Sequence, residues 1–280
     1  MHPILFQFDT PGFLTSFLPD TITIYTYGFL IACGAITGFL YTAWQAKKQF
    51  NFPYEETQQL ILWIIIAAVV GGKLFIVFED PSFYLSNPAA LFKNFGNGFV
   101  FYGSLLFAIP ALLIFIKIKK LPLFGMLDVM AVTAVIVHAF GRMGCFMAGC
   151  CYGVPSHGFT AVTFHDPHSQ ADPLGIPLHP TQLYSVSALL IILLVLLFVK
   201  YRKQFDGQLF MIYLMLYAIG RSVIEVFRGD LERGFIIDNI ISNSQFISLL
   251  VFFGAGYVYY RLWKKDKRLK AYQKSRREST

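Results

Sequence analysis

The sequence predicts an all-α, polytopic integral membrane protein with seven transmembrane helices, its N-terminus outside and its C-terminus cytoplasmic. Three observations carry this reading. Seven apolar runs of near-spanning length follow one another along the chain. Charged residues are only 14% of the 280 residues, against roughly 25% in soluble domains. Clusters of lysine and arginine recur in every second connection. Composition agrees, with 56% hydrophobic residues, 30 Phe, 15 Tyr and a mean hydropathy of +0.57.

The runs cover residues 22–44, 56–78, 99–119, 125–148, 183–200, 207–227 and 241–263. Each is close to the ~20 residues a helix needs to cross a bilayer, and far too long for a barrel strand. The first 20 residues hold three prolines and no basic stretch, a pattern unlike a signal peptide. In the first run Gly34 and Gly38 stand four apart, a spacing for close helix approach. Pro110 interrupts the third run and predicts a kink there. With neither internal repeat nor soluble segment, residues 1–263 read as one seven-helix membrane domain and 264–280 as a basic cytoplasmic tail.

Basic residues set the direction of each run. Lys47 and Lys48 follow the first, Lys117, Lys119 and Lys120 the third, and Lys200, Arg202 and Lys203 the fifth. Nine of the 23 lysines and arginines lie in 261–280, while 143–199 contains none. The formal charge of +7 is therefore a topology anchor and does not indicate nucleic-acid binding.

Ionisable residues inside spans are costly and mark function. At a rise of ~1.5 Å per residue, Arg142 lies ~26 Å beyond Gly125, at the outer end of the fourth run. Lys73 takes the same level in the second run. Arg221, Glu225 and Arg228 stand at i, i+4 and i+7 in the sixth and share one face. Tyr27 and Tyr102 open the first and third runs, and "HPTQLY", with His179 and Gln182, opens the fifth. Asp128, at the cytoplasmic end of the fourth run, does not join them. Each residue has a plainer alternative: Lys73 snorkelling to headgroups, the tyrosines in an interfacial belt, Arg221–Glu225 as an interhelical staple. His138, one turn before Arg142, reads as a buried, hydrogen-bonded histidine. Together the set points to one outer site with an excess of guanidinium groups, whose forks suit phosphate. The phosphate available at that depth is an anionic phospholipid headgroup.

These residues lie in recognisable motifs. "GRMGCFMAGCCYG" (141–153) resembles the signature loop of the prolipoprotein diacylglyceryl transferase family, approximately G-R-x-G-N-F-x-N-G-E-x-x-G. "HPTQLY" is similar to that family's H-P-S/T-Q-L-Y, and "YAIGRSVIEVFRGD" to its Y-G-x-x-R-x-x-x-E-x-x-R, with Ala218 in place of the glycine after Tyr217. "YTYGFL" and "SQFISLL" also fit. The chain departs from the pattern at Cys145 and Ala148, where the family has Asn, and at Cys150, where it has Glu. Tyr102 falls where many members have His, and Ser185 where a Glu often stands.

The resemblance implies a seven-helix transferase of the bacterial cytoplasmic (inner) membrane, working at the outer side without a cofactor or metal. It would move the diacylglyceryl group of phosphatidylglycerol to the lipobox cysteine thiol of a preprolipoprotein signal peptide, releasing glycerol-1-phosphate. By motif the resemblance carries functional roles to Arg142, Arg221, Glu225, Arg228, Gly153, Tyr27 and His179. With the outer-side clustering, the expected catalytic residues are Arg142, Arg221, Glu225 and Tyr102, and the expected substrate-binding residues Tyr27, Lys73, Gly153, His179, Gln182 and Arg228. Two other readings compete: a small-solute or ion transporter, and a membrane redox or metal protein using Cys145, Cys150 and Cys151. The chain has no repeats or paired broken helices of the transporter kind. The three cysteines have no C-x-x-C spacing and are expected to be mainly structural, shaping the loop beside Arg142.

Overall fold

The fold, taken from a computed structural model, is described for residues 1–10, 21–87, 100–228, 235–237 and 241–278. Eight helices are described: α1 (Thr26–Phe50), α2 (Tyr54–Glu79), α3 (Pro81–Ser86), α4 (Phe101–Ile118), α5 (Leu123–Ala148), α6 (Thr181–Tyr201), α7 (Gln208–Glu225) and α8 (Asn243–Glu278). Six of them, α1, α2, α5, α6, α7 and α8, are long and apolar enough to cross a membrane. They correspond to all the expected runs except the third. That run is α4, apolar over the shorter stretch Tyr102–Ile118; residue 99, its expected start, lies outside the described residues. The helix continues through Pro110 as one element.

The surfaces of these helices fit lipid. On α6, Leu189, Ile192 and Leu196 are buried, but Leu190, Ile191, Leu194 and Phe198 are exposed. A helix apolar on both its inner and outer faces has no polar side to offer water. The protein is a multi-pass, mainly helical membrane protein.

Short antiparallel strand pairs add to the all-α expectation. β1 (Ile4–Asp9) pairs with β2 (Thr21–Tyr25), β3 (Val162–Thr163) with β4 (Pro177–Leu178), and β5 (Phe235–Ile237) with β6 (Ile241–Ser242). "ILFQFD" and "TITIY" do carry a strand signal, being β-branched and aromatic. The first pair is fastened to α1: Thr26 donates its backbone N–H to Pro3 O at 2.9 Å and its hydroxyl to His2 O at 2.6 Å. Tyr27 is thereby held at the helix entrance.

The chain forms two compact units, Met1–Gly38 with Leu127–Thr280, and Phe39–Met126. In the second, α2 and α4 cross glycine on glycine. A Cβ at Gly71 would lie 2.3 Å from the Gly103 carbonyl, and one at Gly103 2.5 Å from that of Gly71. Lys119 pairs with Glu56 at 3.1 Å near the opposite ends, so the two helices run antiparallel.

In the first unit, α1 lies on α5 through the expected glycines. A Cβ at Gly34 would meet Phe140 at 2.7 Å, and one at Gly38 would meet Val137 at 2.6 Å. Asp128 joins α5 to the start of α7: its carboxylate accepts the N–H groups of Gly207 and Phe210 at 2.8 and 2.9 Å and pairs with Lys203 at 2.9 Å. It caps a helix that has no cap of its own. Burial lowers the pKa of Lys203, but hydrogen bonds to Asp206 and Asp128 outweigh it and raise the value. The basic tail, as far as residue 278, continues α8 as helix.

Candidate active site

α5 ends in a way that shapes the site. Gly149 is left-handed (φ 78°), and the N–H of Cys150 returns to Cys145 O at 3.1 Å while that of Gly149 reaches Phe146 O at 3.3 Å. This is a Schellman motif, which sets the residue after the glycine against the fourth residue before it, here Cys150 against Cys145. Cys151 follows, also left-handed at φ 64°. The loop is then tied to α6. Gln182 donates to Cys150 O at 2.7 Å, and the Thr181 hydroxyl to Cys151 O at 2.6 Å. Gly153 donates to His179 O at 2.8 Å. It can only be glycine, since a Cβ there would lie 2.2 Å from Phe227 O and 2.8 Å from Thr181 Cγ2.

Above this loop junction, α5, α6 and α7 with the residues just after it enclose a cavity. His138, Arg142, Ser185, Tyr217, Arg221 and Arg228 supply its polar walls. Arg142 Nε donates to His138 Nε2 at 3.2 Å, so His138 accepts and its proton sits on Nδ1. The hydrogen bond leaves the two terminal nitrogens of Arg142 for a ligand and fixes the plane of the fork. Arg221 pairs with Glu225, which is buried on the same helix. Arg228 sits one turn further, its N–H on Glu225 O at 3.1 Å. Among the described residues, three guanidinium groups line the cavity, and one of them, Arg221, pairs with the Glu225 carboxylate. The "RGD" sequence after Phe227 continues into Gly229 and Asp230, which lie outside the described residues.

The other expected site residues divide between the two units. Tyr27 stacks over Gly144, its ring 3.0 Å from where a Cβ would be, within electrostatic range of Arg142 and the three thiols. His179 shares a hydrogen bond of 3.0 Å with Tyr184, whose hydroxyl meets Thr160 at 2.6 Å, and its ring packs on Phe227. Gln182 is fully buried and holds the loop. Lys73 and Tyr102 belong to the unit Phe39–Met126, where they flank the Gly71–Gly103 crossing.

Sequence reasoning passed over Tyr217 and Ser185 as wall residues. Tyr217 was legible, because it stands four residues before Arg221 and so on the same face. Ser185 was not, because nothing in an isolated apolar helix says which face a cavity will use. His138 is both the hydrogen-bonded histidine expected and a wall residue. The cysteines do more than expected: the Sγ atoms of Cys145, Cys150 and Cys151 all lie within 4.8 Å of one another, with no disulfide. Hydrogen bonds from Cys145 and Cys150 lower the pKa of the Cys151 thiol, helped by the charges of Arg228 and Arg142 and opposed by burial.

Fold and site define a multi-pass membrane protein with an arginine-lined cavity among its helices. The chain belongs to the prolipoprotein diacylglyceryl transferase family, whose model matches residues 15–261. It is 34% identical over 228 residues to the phosphatidylglycerol–prolipoprotein diacylglyceryl transferase of Clostridium tetani, covering 81% of this chain and 89% of that one. The Clostridium perfringens transferase 2 of that name is 29% identical over 238 residues, 85% of this chain and 91% of its own. A Dehalococcoides mccartyi transferase is 31% identical over 209 residues, 75% and 79% of the two chains.

Proposed function

We propose that the protein transfers the diacylglyceryl group of phosphatidylglycerol to the thiol of the lipobox cysteine in a preprolipoprotein signal peptide. A carbon–sulfur bond forms at the glyceryl carbon, the carbon–oxygen bond to phosphate breaks, and glycerol-1-phosphate leaves with the electron pair while the thiol gives up its proton. The observation that carries this is the cavity lined by Arg142, Arg221 and Arg228.

The chemistry needs charge stabilisation where the phosphate gains charge, and cationic groups held in advance supply it without reorganisation. Arg142 presents its fork to two phosphate oxygens, with His138 as a positioning residue. Arg221, fixed by Glu225, shares the leaving charge, and Arg228 binds the headgroup. The same positive potential favours the thiolate of the acceptor, whose ordinary pKa near ~8.5 leaves it mostly protonated. Tyr27 borders the acceptor side, and Gly153, Gln182 and His179 hold the loop that carries Arg142. Tyr102, as a donor to phosphate, and Lys73, as a headgroup cation, are assigned on their sequence positions.

The basic connections support a seven-span topology in the bacterial inner membrane with the N-terminus outside, the tail in the cytoplasm and the site at the outer face. The direct test supplies purified protein with phosphatidylglycerol and a lipobox peptide. A thioether-linked diacylglyceryl peptide in the mass spectrum is the expected product; unchanged peptide from folded protein would refute the assignment.

A further inference from the structure

The transfer reaction as derived uses Arg142 and its neighbours and makes no use of the three thiols beside them. We infer that Cys145, Cys150 and Cys151 form a binding site for one thiophilic divalent cation of the zinc class, with three sulfur ligands. Their Sγ atoms lie within 4.8 Å of one another, and none is in a disulfide. A zinc–sulfur bond is about 2.3 Å, so ligands at tetrahedral angles stand about 3.8 Å apart. The observed cluster reaches that spacing by small side-chain movements.

The spacing C-x-x-x-x-C-C looks wrong for a metal only if the chain between is extended or helical. The Schellman end of α5 sets Cys145 and Cys150 against each other, and the left-handed Cys151 brings the third thiol to them. A residue with a Cβ is strained at φ 64°, so the backbone here is held by its surroundings. Those surroundings are Gln182 and Thr181 of α6, which hold the carbonyls of Cys150 and Cys151. The ligand set is preorganised before any metal arrives. All three cysteines are half-buried, open enough for an ion to enter.

Charge is also suitable. Three thiolates on a divalent ion leave one net negative charge, and the guanidinium groups of Arg142 and Arg228 are in electrostatic range to balance it. Binding would displace the thiol protons to solvent, with no change of oxidation state. Sulfur donors select zinc-class ions over magnesium or calcium, which take oxygen. The site is distinct from the phosphate-binding cavity, and the inference stands whether or not the transfer reading does.

The test uses the whole protein, reduced and in detergent without oxygen, titrated with cobalt(II) as the spectroscopic probe. One equivalent of cobalt per chain should produce a thiolate-to-metal charge-transfer band, bleached by one equivalent of zinc(II). Cys145→Ser, Cys150→Ser and Cys151→Ser should each weaken binding at least tenfold, while Cys33→Ser, which alters the one cysteine outside the cluster, leaves it unchanged. A variant could fail to fold, so the unsubstituted protein is also alkylated with and without zinc. Zinc should protect Cys145, Cys150 and Cys151 and leave Cys33 as reactive as before. Absence of the band, alkylation unaffected by zinc, or a disulfide within the trio in freshly isolated protein overturns the site.

Discussion

In the proposed transfer Arg142 holds the leaving phosphate, and its geometry makes that role separable from its charge. The Nε–H is occupied by His138, so the two terminal nitrogens face a ligand as a pair. Lysine keeps the charge but has neither the fork nor a second bond to His138. Arg142→Lys should therefore lower transfer by roughly 10²–10³, the cost of one lost transition-state donor. His138 acts only through Arg142. Its removal in His138→Ala should cost up to about tenfold, the worth of one positioning hydrogen bond, mainly in kcat. His138→Gln, which restores an acceptor, should recover most of that loss. Equal loss in both His138 variants would mean that the ring contributes something other than the acceptor.

At the scale of elements, two junctions hold the site in shape. Gly153 sits where the loop from α5 passes under Phe227 and Thr181, and no Cβ fits. Gly153→Ala should destabilise the protein by about 1–3 kcal/mol through overpacking, and reduce activity in the fraction that still folds, because the loop moves with Arg142 attached. Thermal unfolding in detergent alongside the transfer assay measures both. Asp128 works at the other end of α5, as the borrowed cap of α7. Asp128→Ala leaves two backbone donors without their acceptor and Lys203 with Asp206 alone, and should lower stability by roughly 1–3 kcal/mol. Transfer per folded molecule should stay unchanged, because Arg142 lies at the far end of α5 from Asp128.

For the molecule as a whole, charge placement makes two predictions. A reporter active only outside the cytoplasm, fused after residue 280, should remain silent, and an active fusion would invert the topology. The cationic cavity should also discriminate between lipid headgroups. Phosphatidylglycerol should support transfer, and zwitterionic phosphatidylethanolamine should be used far less, since its ammonium would face three guanidinium groups. Equal turnover with both lipids would show that the positive wall does not select the donor.

The sequence by itself determined the membrane class, six helices long and apolar enough to cross a membrane, the family, and the arginines that line the cavity. These follow from composition, from run length and from residues a few positions apart on one helix, all of which are local. Even the Gly34 and Gly38 contacts with α5 were foreseen from spacing, because only small residues permit such an approach. What the tertiary structure alone decided depends on which backbone atoms meet from distant parts of the chain. Asp128 looks like an isolated acid until Gly207 and Phe210 arrive from about 80 residues away to bond it. Nothing in the sequence around Gln182 points to Cys150 O, 32 residues earlier, as the acceptor of its amide. The three cysteines read as spacers because their separation fits no linear metal motif. Their convergence needs two left-handed residues in the turn and two side chains from another helix, and a local pattern records only the glycine at 149.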